Sequence, residues 1–384
     1  MKNNIIFGKP YITRQNIEEI IDSLKNGWLG KGPKTALFEK NFSEYCGGIN
    51  TVGTNSCTAA LFTALKYFKI KSGDEVIVPA MTFAATANVI ENAGATVVFA
   101  DVKKNTGIID TISIEEKISS KTRAIIPVHY CGYPCDMDLI CNIVQKKKIA
   151  VISDAAHCIE GKFKGRHVSQ YGDAACFSFY ATKNITTGDG GIIASRNKKI
   201  TDFSRLYTTQ GLSADAWTRQ AVKNQNYYQV VVPGMKFNMI DLQAALGLDQ
   251  LKKIEKFYDV RLKQWKIYCS ELKDTGLTLP SFPEEKGSRH SLHLFTIIVD
   301  KKKCGVKRSV LQMKLSELGI GTGIHFNSLH NHKYYKEKYK LKKDSFPVSD
   351  YISERTLSLP IGPSLAEREQ EYIIEKIKRI LKNA

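Results

Sequence analysis

The sequence predicts an α/β protein with a large domain, residues 1–250, on a mostly parallel sheet, and a smaller C-terminal α/β domain, residues 251–384. Three observations lead there. Short apolar runs alternate with stretches of helical periodicity from about residue 51 to residue 195, which is the pattern of βαβ units with helices on both faces of a sheet. A long pattern with apolar residues at i, i+3 and i+4 spans 240–272, and a second, shorter α/β set follows it. With 384 residues, the chain can bury a large core and divides into two domains.

Composition narrows the class. An apolar content of 43% and a charged content of 24% are those of a soluble globular protein. No apolar run approaches the roughly 18 residues of a membrane helix, and the first residues lack an apolar signal core, so a cytoplasmic protein without membrane insertion is expected. The formal charge of +18 comes from lysines spread along the whole chain, and no nucleic-acid partner is expected from it. Such a surface would still attract a dianionic substrate. The densest patch, HKYYKEKYK at 332–340, interleaves aromatics with lysines as a base-stacking surface does; it is read instead as an amphipathic helix end with packed tyrosines. Nine cysteines are an odd number, scattered and without a CxxC pair. They read as reduced thiols, with neither a disulfide framework nor a metal site.

Along the chain, residues 13–24 have helical spacing with Asn26-Gly27 as a stop, then a turn-rich loop around Trp28, then a second helix over 35–45. A strand at 51–54 runs through Asn55-Ser56-Cys57-Thr58 into a helix over 59–67. A strand, a small-residue turn and a helix N-terminus make an anion site, with Thr58 and the amides of Cys57 and Ala59 as its donors; the plainer alternative is Thr58 as an N-cap. Strands follow at 74–79, with Phe83 just past its carboxyl end, and at 95–101 and 122–129. Next, an apolar run ends in Asp154, a polar hairpin-like segment follows, and a second apolar run covers 175–179. Lys183 and a glycine-rich turn at 188–191 complete the stretch. An acid at one strand end and a lysine just past another are what an active site on an open α/β sheet requires. A lysine whose amine can lose its proton forms Schiff bases. A pyridoxal cofactor needs such a lysine, plus an acid that keeps its ring nitrogen protonated. Residues 211–238 have no dominant period and read as a long functional loop. The rest predicts a strand at 293–299, a basic helix at 307–318, a segment at 320–326 and a closing charged helix at 366–382.

Asp154-Ala155-Ala156-His157, Phe177-Ser178-Phe179, Lys183-Asn184 and Gly188-Asp189-Gly190-Gly191 resemble, in that order, the motifs of pyridoxal 5'-phosphate-dependent nucleotide-sugar aminotransferases of the DegT/DnrJ/EryC1/StrS type. Asp189 stands where that family usually has Glu, and Cys57 where it usually has Gly. The resemblance covers nearly the whole chain. It implies an aspartate-aminotransferase-like large domain (fold type I) in which Lys183 is catalytic and holds the cofactor. Asp154 would then face the ring nitrogen, Phe83 stack on the ring and His157 lie by the ring oxygen. Cys57, Thr58, Ala59 and Ser178 would hold the phosphate. Asn238, after Gly234 and Lys236, would reach the other subunit's cofactor across a homodimer with shared active sites, unless it only caps the next helix. Trp28, Lys236 and His325 would lie near the substrate. The implied reaction takes the amino group of L-glutamate, leaving 2-oxoglutarate and pyridoxamine phosphate, and passes it to a nucleotide-linked 4-keto sugar. HLFTIIVD, ELGIGTGIHF, HKYYKEKY, GLSADAWTRQ and PGMKFN further resemble the branch that makes UDP-4-amino-4-deoxy-L-arabinose. Related sugar dehydratases carry histidine in place of the lysine, and Lys183 argues against that reading. The intact Asp154, Ser178 and Lys183 set argues against a non-catalytic regulatory protein. A nucleotide-dependent oxidoreductase would need GxGxxG after the first strand, which is absent.

Overall fold

In a computed structural model of the chain, the described residues are 4–213, 228–342 and 344–383. Seven strands form one sheet: β1 (Asn50–Thr54), β2 (Glu75–Pro79), β3 (Thr96–Ala100), β4 (Thr122–Ile125), β5 (Ala150–Asp154), β8 (Ala174–Ser178) and β9 (Gly191–Ser195), in the order β1-β9-β8-β5-β4-β2-β3. Pairings from β3 through β8 are parallel, and β9 runs antiparallel to both β8 and β1. The polar segment after Asp154 is a small hairpin, β6 (Lys162–Phe163) with β7 (Arg166–His167).

Alternation along each strand sorts side chains to two faces. Val76, Val78, Ile152, Cys176 and Ile193 enter one apolar cluster with the helices Cys57–Tyr67 and Ala84–Asn92, through residues such as Leu61, Leu65, Ala87 and Ile90. Ile77 and Val151 face the opposite side with Met137 and Ile140, while Phe177 and Ile192 lie there with Phe38, Phe42 and Leu248. Coverage on both faces is why these strands read as continuous apolar runs. Each fully buried side chain such as Leu65 contributes about 2 kcal/mol.

The single helical pattern expected over 240–272 is two helices, Asp241–Lys252 and Ile254–Leu272, meeting at Lys253 with φ −101° and ψ 3°. No Gly or Pro marks the break. Gln250, just before it, donates from Nε2 to the Tyr11 carbonyl (2.8 Å) and to Asn16 Oδ1 (2.9 Å). Apolar spacing continues on both sides but serves two cores, Leu251 below the main sheet and Trp265, Tyr268 and Leu272 in another. That other core packs against the antiparallel pair β10 (Phe295–Ile298) and β11 (Thr356–Leu359) and the helices Arg308–Glu317 and Glu367–Lys382. It also takes Ile5, which bridges to Ile320 in parallel register. In return, Leu329, Tyr335 and Phe346 enter the main-sheet cluster. Tyr335, 3% exposed, and Tyr339 pack on Phe99, so two tyrosines of the lysine-rich patch are structural, while the third, Tyr334, is 54% exposed. Among the described residues, no helix is long and apolar enough to cross a membrane.

Candidate active site

The carboxyl ends of β5 and β8 open into a cavity of about 400 Å³. Asp154 is the last residue of β5 and is 5% exposed. Thr86 Oγ1 donates to its Oδ2 (2.8 Å), and the Ala156 amide donates to its Oδ1 (3.1 Å). Thr86 is paired in turn with Thr82 Oγ1 at 3.0 Å. Burial pushes the Asp154 carboxyl above the usual carboxylate range, against the pull of Thr86, Ala156 and the Lys183 cation. A cationic ring nitrogen placed against it would relieve that penalty.

Lys183 follows β8 in a turn closed by its own amide on the Tyr180 carbonyl (2.9 Å). The loop is cinched at its base, where Phe179 donates to Gly190 and Thr187 donates to Phe179. Burial lowers the lysine to about 8, and Asp154 across the cavity holds it from falling further. Its amine has no hydrogen-bond partner among the described residues. A lysine in this state is a competent carbonyl nucleophile near neutral pH.

The helix Cys57–Tyr67 points its N-terminus at the same cavity, with Cys57 and Thr58 in the lining. Its N-cap is Ser56, whose Oγ accepts from the Ala59 amide at 3.1 Å. This removes the plainer alternative for Thr58 and corrects one expectation. Thr58 is not the cap, and the Ala59 amide is already engaged and lies outside the cavity lining; the amides of Cys57 and Thr58, which have no intrahelical acceptor, remain as donors. The glycine-rich turn makes this approach possible. A Cβ on Gly191 would meet the Ser56 carbonyl carbon at 2.4 Å and the Cys57 amide nitrogen at 2.5 Å.

Phe83, Asp154, His157, Ser178, Lys183 and His325 all line the cavity. Phe83 stands 61% exposed at the start of the helix Ala84–Asn92, so it is no core residue. His157 accepts the Cys131 amide on Nδ1 (3.3 Å), and burial together with Lys183 keeps it neutral. His129 is fully buried, with Nδ1 accepting from the Cys135 amide (3.0 Å), and is structural. Three expected residues stand elsewhere. Trp28 donates from Nε1 to the Lys31 carbonyl in its own loop (3.1 Å). Lys236 is exposed and does not line the cavity of its own chain. Asn238 is outside the cavity lining and 3% exposed, with Nδ2 donating to the Met239 carbonyl (2.9 Å) and Oδ1 left without a hydrogen-bond partner among the described residues. Of the long loop expected over 211–238, residues 214–227 lie outside the described residues.

Sequence reasoning missed Phe7, Thr86, His293 and Phe326. Phe7, His293 and Phe326 line the cavity from segments far from it in the chain, and no local spacing marks them. For Thr86, a hydroxyl three residues past Phe83 was the available signal.

The donor set fits pyridoxal 5'-phosphate. A buried carboxylate and a partnerless lysine with depressed pKa face one cavity, a helix N-terminus offers amides to a phosphate, and an exposed aromatic stands at the mouth.

Comparisons with known proteins agree with this geometry. SpsC of Bacillus subtilis, a spore coat polysaccharide biosynthesis protein, is 41% identical over 379 residues, covering 98% of this chain and 97% of that protein. The uncharacterized protein MJ1066 of Methanocaldococcus jannaschii is 39% identical, covering 97% and 96%. Among solved structures, Spr1654 of Streptococcus pneumoniae in its PMP form superposes with a TM-score of 0.92 at 30% identity, covering 99% of this chain and 100% of that one; its PLP form scores 0.91. The family model of the DegT/DnrJ/EryC1/StrS aminotransferases matches residues 10–378, and the chain belongs to that family.

Proposed function

We propose that this chain is a pyridoxal 5'-phosphate-dependent sugar aminotransferase that moves the amino group of L-glutamate onto the C4 ketone of a nucleotide-linked, UDP-type keto sugar. The observation that carries the reading is the pairing of Lys183 and buried Asp154 across one cavity. The bound cofactor supplies an aldehyde that carries the amino group and a protonated ring that draws off electrons. The chain supplies the rest. Asp154 holds the proton on the ring nitrogen. Cys57 and Thr58 amides, with Ser178, bind the phosphate. Phe83 covers the ring face, and His157 donates from Nε2. Lys183, once released, takes the proton from Cα of glutamate and later delivers one to C4 of the sugar, for which a pKa of about 8 suits both directions. The same lysine serves both half-reactions, so the kinetics are ping-pong. SpsC's polysaccharide role supports an amino sugar destined for a surface glycan. A UDP-linked 4-keto pentose heads the candidates.

The working unit is a homodimer with shared sites. Val230 and Val231 are 68% and 58% exposed and Met235 is 43% exposed, an apolar surface suited to a second copy. Lys236, exposed beside them and outside its own cavity, serves the partner's site.

Incubation with glutamate and UDP-, GDP- and dTDP-4-keto sugars, read by mass, tests the substrate. One amino sugar and an equivalent of 2-oxoglutarate are expected, and a protein that aminates none of them ends this reading. Mixing Lys183→Ala with Lys236→Ala chains tests the dimer. Each alone is inactive, and the mixture regains about a quarter of the activity, because half the dimers carry one intact site.

A further inference from the structure

Beside Lys183, Asn184 is tied on three sides. Its Nδ2 donates to the Ser291 carbonyl (2.8 Å) and to Glu160 Oε2 (2.7 Å), and its Oδ1 lies 2.9 Å from Nδ1 of His293. A backbone carbonyl only accepts, so the amide orientation is fixed and Oδ1 is an acceptor. His293 must therefore carry its proton on Nδ1. Glu160 is fully buried and paired with Arg261, itself 2% exposed, so the anchor of this chain of bonds is rigid. His293 is 6% exposed, and burial with the nearby Lys183 holds it well below the usual histidine range, so the ring is neutral. A neutral ring protonated at Nδ1 has a bare lone pair at Nε2. That atom has no hydrogen-bond partner among the described residues, and the ring lines the cavity 4.5 Å from the His157 ring, centroid to centroid. His157 accepts on Nδ1 and so presents the opposite atom, an Nε2–H donor.

We infer that His293 is a specificity-determining residue of the substrate site, presenting the bare Nε2 of an Nδ1-protonated imidazole to a hydroxyl of the sugar. An uncharged acceptor pairs with a hydroxyl and repels a carboxylate, so it serves the sugar half-reaction and not the glutamate half. Asn184, Glu160 and Arg261 act through it as positioning residues. The inference rests on the sugar-aminotransferase reading and names one contact of that same site.

Two substitutions divide the ring's functions. His293→Asn keeps an amide donor where Nδ1 stood and loses the acceptor; His293→Gln keeps an acceptor near Nε2 and loses the bond to Asn184. The ping-pong halves are measured separately. The inference expects His293→Asn to lower kcat/KM for the keto sugar about tenfold or more while the glutamate half stays within about twofold, and His293→Gln to retain most sugar activity. The reverse ranking, or equal losses in both halves, overturns it, because a structural role or a role through Lys183 predicts those patterns. Histidine 15N NMR of the unliganded protein reads the ring directly. An Nδ1–H signal lost in His293→Asn is expected, and an Nε2–H ring or an imidazolium at neutral pH overturns the assignment. A wild-type protein that takes the amino group from glutamate but passes it to no keto sugar defeats the sugar reading, and with it the hydroxyl as ligand; the NMR signal distinguishes that failure from a wrong tautomer.

Discussion

The floor and the mouth of the cavity are built on different terms. At the floor, Asp154 is 5% exposed, ends a central strand and has both oxygens engaged by Thr86 and Ala156. Nearby, Asn184, Glu160 and Arg261 are locked by bonds to each other and to the backbone. At the mouth, Phe83, whose ring meets that of Phe326, and Tyr180 are 61% and 51% exposed. The floor is specified by one chain acting alone and is already arranged for its ligand. The mouth leaves apolar surface uncovered, where a bound ligand can be buried.

The comparison breaks if substitutions at the floor cost no more than those at the mouth. The largest effect is expected from Lys183→Ala, a loss of about four orders of magnitude in turnover with glutamate, the upper end for a lost acid–base group; stopped-flow measurement of the first half-reaction reads it. Next, Arg261→Met strands Glu160 without its cation, and calorimetry should report about 3–5 kcal/mol lost; pairing it with Glu160→Gln should restore part of that. Asp154→Asn removes the partner of the ring cation, about 3 kcal/mol or roughly a hundredfold in cofactor affinity, seen by dialysis and absorbance.

Smaller effects sharpen the contrast. The Lys183 amine, lowered to about 8, is mostly charged below that pH and mostly neutral above it, and only the neutral form captures an aldehyde. Uptake of pyridoxal 5'-phosphate by the apoprotein should therefore rise about tenfold between about pH 7 and pH 9 and then level off. Continued rise past about pH 10 would mark an ordinary surface lysine. Phe83→Ala at the mouth should weaken the cofactor only about fivefold, the worth of about 1 kcal/mol of stacking.

Legibility in the sequence follows the same division. Asp154, Lys183 and the glycine turn were readable because strand ends and tight turns impose local residue choices. The helix read from residue 59 starts two residues earlier, at Cys57, since Ser56 and Thr58 are equally good cap chemistry and only the Ala59 amide, bonded to Ser56, decides between them. The backbone of Asn238 is held by Thr54 and Thr208, which flank it from distant parts of the chain, and no local spacing shows that. His293 gave no signal, because its meaning lies in Asn184, more than a hundred residues earlier. The break at Lys253 was hidden because periodicity records which face is apolar, not which core that face enters.

Ile5 has a consequence of another kind. It leaves the ribosome long before Ile320, its bridge partner, and before Trp265 and Ile373, beside which it is buried. During synthesis the seven strands, all made by Ser195, can pair while this early segment is still waiting. The second core therefore cannot assemble by simple vectorial growth alone: a segment made long before Ile320 must still be docked once that partner exists.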